Sequence, residues 1–170
     1  MHHAIEAVGI LRDVGIAAEL SIVGQGDFGD RLRRRVTELR LQEHVNLLGG
    51  LSDEETALVV QKADIFVLTP FEREPGNVEG FGLAYLEAGA LAKPVIGTRT
   101  GGVPEAVLEN ETGLLVDPAA SAQIAEAIKV LWQDKSRCRR LGESGRRWAL
   151  DHAPVPSARS LASALGLESR

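Results

Sequence analysis

With a single cysteine in 170 residues, an internal disulfide is impossible, and Cys138 fits a reducing compartment. Long apolar runs are missing too. The longest, such as Ile65–Leu68, are strand-sized and far short of a membrane span. Met1 is followed by two histidines and an amphipathic pattern, so no secretory leader is expected. Positive charge is not in excess: the net charge is −5, which argues against a nucleic-acid partner. The histidines, His2, His3, His44 and His152, are scattered, and no metal-ligand cluster is spelled out. Internal repeats and low-complexity segments are absent. These absences lead to the expectation of a cytoplasmic protein. One basic cluster, Arg137, Arg139, Arg140, Arg146 and Arg147, is either a solvated helix face or a reason for a peripheral place at the inner membrane surface.

What is present is the composition of a globular domain: 44% hydrophobic and 25% charged residues, with a mean hydropathy of −0.03. The length suits one domain with a real core. Strands are expected at Glu19–Val23, Val45–Leu48, Ile65–Leu68, Val95–Gly97 and Gly113–Val116. Each is a near-continuous apolar run, as required when both faces of a parallel sheet are covered. Helical patterns lie between them. Phe28, Leu32, Val36 and Leu39 form one stripe of a 3.6-residue period, Ser52 with Glu55 reads as a capping box, and Ile124, Ile128 and Leu131 repeat the helical spacing. The order of elements implies an α/β fold with a doubly wound, Rossmann-like parallel sheet. Residues 2–14 already read as a helix, so the sheet is expected to lack its first strand and to carry an abnormal edge or gap. The division is a domain over residues 1–150 and a helical tail over 151–170, in which Pro154 and Pro156 precede a last helical stretch.

Three glycine-rich turns compete to cradle a phosphate. The first, Gly24-Gln25-Gly26-Asp27-Phe28-Gly29, matches G-x-G-x-x-G between a strand and a helix. A dinucleotide site would place an acid at the end of the next strand, which here reads Leu47-Leu48-Gly49-Gly50. The turn is therefore a tight structural junction or the lining of some other ligand. The second runs Asn77-Val78-Glu79-Gly80-Phe81-Gly82-Leu83-Ala84-Tyr85-Leu86-Glu87-Ala88-Gly89 and opens a helix near Gly82. Small residues at 80 and 82 allow close backbone approach, and the free N–H groups of Gly82, Leu83 and Ala84 at a positive helix end favour a phosphate. Glu79 in the loop and Glu87 in the second turn can aim two carboxylates into one cleft, as acceptors for sugar hydroxyls, or can be dipole complement and surface charge. The third, Thr98-Arg99-Thr100-Gly101-Gly102-Val103-Pro104-Glu105, is either a structural turn or a ligand-facing loop.

The Glu79–Glu87 spacing resembles the E-x7-E motif of retaining glycosyltransferases of family 4, which have the GT-B fold. Its surroundings are similar as well: Glu79-Gly80-Phe81-Gly82-Leu83, Lys93-Pro94-Val95-Ile96, Gly101-Gly102-Val103-Pro104-Glu105, and Thr112-Gly113-Leu114-Leu115-Val116-Asp117-Pro118. The resemblance covers roughly residues 5–150. It implies the C-terminal, nucleotide-sugar-binding domain of a GT-B enzyme that moves a sugar from a nucleotide diphosphate to an acceptor hydroxyl with retention. Glu79 would sit beside the donor sugar as the catalytic carboxylate, and Glu87 would bind the ribose hydroxyls. Gly80, Phe81, Gly82 and Leu83 would hold the sugar and the distal phosphate, and the loop containing Gly49 and Leu51 would border the nucleobase. The family requires no metal and no cofactor beyond the nucleotide-sugar donor.

The chain also departs from that pattern. The family's glycine-arginine turn and lysine-glycine pair, which neutralise the donor pyrophosphate, are not found in these residues. Neither is the N-terminal GT-B domain that carries the acceptor site. Ala90-Leu91-Ala92-Lys93-Pro94 replaces the usual small-Cys-Gly-Lys-Pro run. The chain alone is therefore expected to be inactive in transfer. Two other readings stand beside this one: a stand-alone nucleotide-sugar-binding module, and a GT-B nucleotide-sugar epimerase. The acceptor, whether glycan, lipid or small molecule, is not specified by the sequence.

Overall fold

The structure, a computed structural model, describes residues 1–26, 28–70 and 82–152. Five strands alternate with helices in the order α1 (His2–Asp13), β1 (Leu20–Val23), α2 (Gly29–Glu38), β2 (Val45–Gly49), α3 (Asp53–Lys62), β3 (Phe66–Val67), α4 (Leu83–Ala90), β4 (Val95–Thr98), α5 (Val103–Ala106), β5 (Gly113–Val116), α6 (Ser121–Gln133) and α7 (Lys135–His152). All five expected strands form, with ends shifted by a residue or two. The helical stretch expected beyond Pro154 lies outside the described residues.

Every strand pairing is parallel, and the sheet is interrupted. β1 pairs only with β2, and β3–β4–β5 form a separate three-stranded sheet. The expected discontinuity thus falls between β1 and β3, the position that a doubly wound order assigns to a central strand. β4 is the most enclosed strand: Val95, Ile96, Gly97 and Thr98 are all buried. That burial explains why its sequence is apolar throughout rather than alternating.

Helix α1 compensates for the break. Its Ala7 and Leu11 belong to a core with Ile96, Val116, Ile124 and Leu131, while its Ile5 and Val8 belong to a second core with Ile22, Val36, Leu41 and Val45. Polar contacts repeat this two-sided attachment. The Glu6 carboxylate accepts from Arg35 of α2, with Nη2 at 2.6 Å, and from the Ser121 hydroxyl of α6 at 2.6 Å. His3 Nδ1 lies 3.2 Å from the same carboxylate. The Ser121 and Arg35 hydrogen bonds outweigh the cost of partial burial and hold the Glu6 carboxyl at about 2, well below its ordinary value.

On the other side of the molecule, α7 lies against α4 at backbone contact. A side chain on Gly89 would meet the carbonyl of Gly145, and one on Gly142 would meet the carbonyl of Ala92. Gly89 and Gly142 therefore allow this close packing. No helix among the described residues is long and apolar enough to cross a membrane.

Two outcomes follow from this packing. Gly142→Ala should destabilise the fold by about 1–3 kcal/mol, because the carbonyl it strikes is fixed in a turn; an unchanged denaturant midpoint would contradict the assigned helix separation. Glu6→Gln should cost about 2 kcal/mol near neutrality, because charged hydrogen bonds to two helices are weakened. The native carboxyl titrates below the unfolded one, so this contribution is complete above about pH 4.5 and is lost as pH falls towards 2. Unfolding curves of the two proteins should converge over that window.

Candidate functional site

Helix α4 has no amphipathic stripe in the ordinary sense. Tyr85, Leu86, Ala88, Gly89 and Ala90 are buried around most of its circumference, against β4 and α5 on one side and α7 on the other. Only Leu83 and Glu87, four residues apart on one strip, are exposed to solvent. Glu87 is the single charged residue of the helix. A carboxylate on the only open strip of an otherwise enclosed helix is placed to meet a ligand.

The start of α4 is fixed from below. Tyr85 donates its hydroxyl to the carbonyl of Leu68 at 2.6 Å and packs edge-on against Phe66, with ring centroids 6.1 Å apart. Thr98, fully buried at the end of β4, donates to the carbonyl of Pro70 at 2.7 Å. The helix therefore begins at a set height above the ends of β3 and β4. Its N-cap, Gly82, is buried with φ 73° and ψ 59°, the left-handed region that a side chain would strain. No side chain among the described residues caps this end. The first-turn amides remain as donors at the positive end of the helix dipole.

The second wall comes from the other sheet. At the end of β2, Gly49 takes φ 71° and its carbonyl accepts from the Gly24 amide at 2.7 Å. The Gln25 side chain lies directly over Gly50, in the space a β-carbon would need. Leu51 is half-buried behind this turn, and Ser52 opens α3 with the expected capping box: its hydroxyl accepts from the Glu55 amide at 3.2 Å, and Glu55 accepts from the Ser52 amide at 2.8 Å. Helices α3 and α4 run side by side in the same direction. At their far ends, Lys93 Nζ donates to the Gln61 carbonyl at 2.7 Å. At their near ends, Asp53 stands close enough to Glu87 to act on its charge.

That proximity shows in the electrostatics. The Glu87 carboxyl is displaced upward, first by hydration lost to surrounding protein and then by repulsion from Asp53. The pair forms a cluster of acceptors without a cation among the described residues, an arrangement relieved by ligand hydroxyl donors.

Gly82, Leu83 and Glu87 thus lie at the start of α4 and Gly49 and Leu51 in the turn after β2, and Asp53, four residues beyond Gly49, is the residue that stands near Glu87. Glu79, Gly80 and Phe81 lie outside the described residues. The structure adds Asp53 and Gln25 to the rim. The third turn is largely structural: Val103, Ala106 and Val107 are buried against Tyr85, and Arg99 is held by Glu109 and Asp117. Phe28, expected on the buried stripe of α2, is instead its N-cap and 47% exposed, while Val36 alone of that stripe is fully enclosed.

The family profile described as Glycosyl transferases group 1 matches residues 1–148. A GDP-mannose-dependent α-(1-6)-phosphatidylinositol monomannoside mannosyltransferase of Mycolicibacterium smegmatis is 40% identical over 134 residues, which are 78% of this chain and 35% of that protein. The protein of the same description in Mycobacterium tuberculosis is 37% identical over 132 residues, 77% of this chain and 34% of that one. The chain spans about a third of the length of these relatives. Among solved structures, the C-terminal domain of a glycosyl transferase group 1 protein, LpcC of Francisella tularensis, superposes with a TM-score of 0.71 at 25% identity, over 91% of this chain and 79% of that one. HepE of Anabaena in complex with UDP and glucose gives 0.77 at 23% identity, over 98% of this chain and 44% of that one, a likeness of fold.

Removing one carboxylate of the rim pair should be visible on the other. Asp53→Asn should lower the apparent pKa of Glu87 in a carboxyl NMR titration, because one source of its upward displacement is gone. An unmoved Glu87 titration would show that the two groups do not share a cleft.

Proposed function

This chain belongs to the glycosyl transferases group 1 family, and from that membership we propose that it is the donor-binding half of a retaining glycosyltransferase of the GT-B type. The observation that carries the reading is the convergence of an uncapped α4 N-terminus, Glu87 and the Gly49–Asp53 turn on one edge. A nucleoside diphosphate presents matching chemistry. Its distal phosphate takes the first-turn amides of Leu83 and Ala84. Its ribose hydroxyls donate to Glu87, about 6 Å further along the helix axis. Its base lies against Gly49 and Leu51. GDP-mannose is the first donor to test, because the relatives at 37–40% identity are named as GDP-mannose-dependent.

In this reading the bond from the anomeric carbon to the diphosphate oxygen breaks as the acceptor hydroxyl attacks the same face, and the acceptor proton leaves with the diphosphate. The α4 helix end stabilises part of the departing charge, a preorganised electrostatic contribution. Glu79, three residues before Gly82 in the sequence, supports the electron-poor sugar ring. No resident metal is part of this scheme. A GT-B N-terminal domain, with the acceptor site and the basic pair that neutralises the pyrophosphate, completes the enzyme, and the reaction belongs to the cytoplasm. A stand-alone nucleotide-sugar-binding module is the second reading.

Calorimetry of residues 1–170 with GDP-mannose and UDP-glucose separates these readings. Weak donor binding is expected, with no transfer by this chain alone. Glu87→Ala should weaken binding roughly 10- to 100-fold, the loss of charged hydrogen bonds to two hydroxyls. In a protein that includes the N-terminal half, Glu79→Ala should depress turnover more than binding. Transfer by residues 1–170 alone, or donor binding indifferent to Glu87, would overturn the proposal.

A further inference from the structure

Helix α7 buries Leu141, Gly142, Gly145 and Ala149 against α4 and the sheet, which leaves the opposite side to solvent. That side carries Lys135, Arg139, Arg140 and Arg147, with Glu143, Leu150 and Asp151 among them, all exposed, over about 24 Å of helix. The helix holds six Lys or Arg against two acids, Glu143 and Asp151, in a chain whose net charge is −5. This surface is therefore net positive in an acidic chain. Arg12, Arg33, Arg35 and Arg99 each face a carboxylate, while Arg31 and Arg34 of α2 are exposed with none in ion-pair reach among the described residues. Lys135, Arg139, Arg140 and Arg147 have no carboxylate in ion-pair reach among the described residues. Leu150, 49% exposed on the same side, adds an apolar contact at the end nearest the start of α4.

We propose that the exposed side of α7 is a docking surface for an anionic lipid bilayer. The length and the mixture of guanidinium groups with one aliphatic side chain suit a flat surface of phosphate headgroups, to which several cations can attach at once. An extended array of that kind needs no pocket. The helix packs on α4 by its glycine side, so the basic side points away from α4, and the Leu83–Glu87 strip stays open while the protein is bound. Membrane attachment and donor binding are then independent, and each can fail without the other.

The test is co-sedimentation of residues 1–170 with vesicles of phosphatidylcholine alone or mixed with phosphatidylglycerol. Binding should require phosphatidylglycerol and disappear at high salt. Each arginine removed should lower partitioning about fivefold, so that Arg139→Ala, Arg140→Ala and Arg147→Ala together lower it roughly 100-fold. The control pair Arg31→Ala and Arg34→Ala, exposed on α2, should leave it unchanged, and Leu150→Asp should weaken it in an otherwise native protein. Donor affinity measured on the same triple variant should match the parent. Equal partitioning of the triple variant, equal loss in the control pair, binding to phosphatidylcholine alone, or binding to a single-stranded oligonucleotide but not to vesicles would each overturn the proposal.

Discussion

Parallel strands hold one another through a continuous ladder of backbone hydrogen bonds, and here that ladder stops between β1 and β3. The two halves are instead joined by α1, which places Ala7 and Leu11 in one core and Ile5 and Val8 in the other. Its Glu6 repeats the connection in polar form, accepting from Arg35 of one half and Ser121 of the other. The candidate site depends on this joint, because its walls come from opposite halves. The Gly49–Asp53 turn follows β2, and the Gly82–Glu87 segment follows β3. A shift of one half against the other would separate Asp53 from Glu87 without breaking a single strand pairing.

Burial also decides what α4 can offer. A helix enclosed on nearly all sides has its dipole poorly screened, so its first turn attracts anions more strongly than a surface helix would. The same enclosure removes part of the hydration of Glu87 and raises its pKa. On the opposite side of the helix, Gly89 lets α7 close in where a β-carbon would meet the Gly145 carbonyl.

Much of this was legible in the sequence. The five strands were visible because each is written as a near-continuous apolar run, although only β4 is buried along its whole length. The Ser52–Glu55 box was visible because capping is local chemistry, complete within four residues. The interruption of the sheet followed from the helical pattern that already occupies residues 2–14. What escaped was set by tertiary contact. Phe28 has the right spacing for a buried stripe, but α2 begins one residue later and turns it outward. The role of Asp53 depends on α3 and α4 lying side by side, which no local pattern encodes. Tyr85 and Thr98, which fix the height of α4 through carbonyls of Leu68 and Pro70, bond across 17 and 28 residues. Gly142 of α7 reads as a helix-weakening residue until the Ala92 carbonyl is seen in the space its side chain would need.

The central claim is that a nucleoside diphosphate binds at the joined edge of the two half-sheets. It is tested most directly by following backbone amide resonances of residues 1–170 during titration with GDP. The account predicts shifts concentrated at Leu83 and Ala84 and across Gly49 to Asp53, with the amides of α6 and the exposed side of α7 unchanged. Shifts at the opposite ends of the strands, near Leu20 and Val45, or saturating shifts confined to α6 and α7, would contradict it.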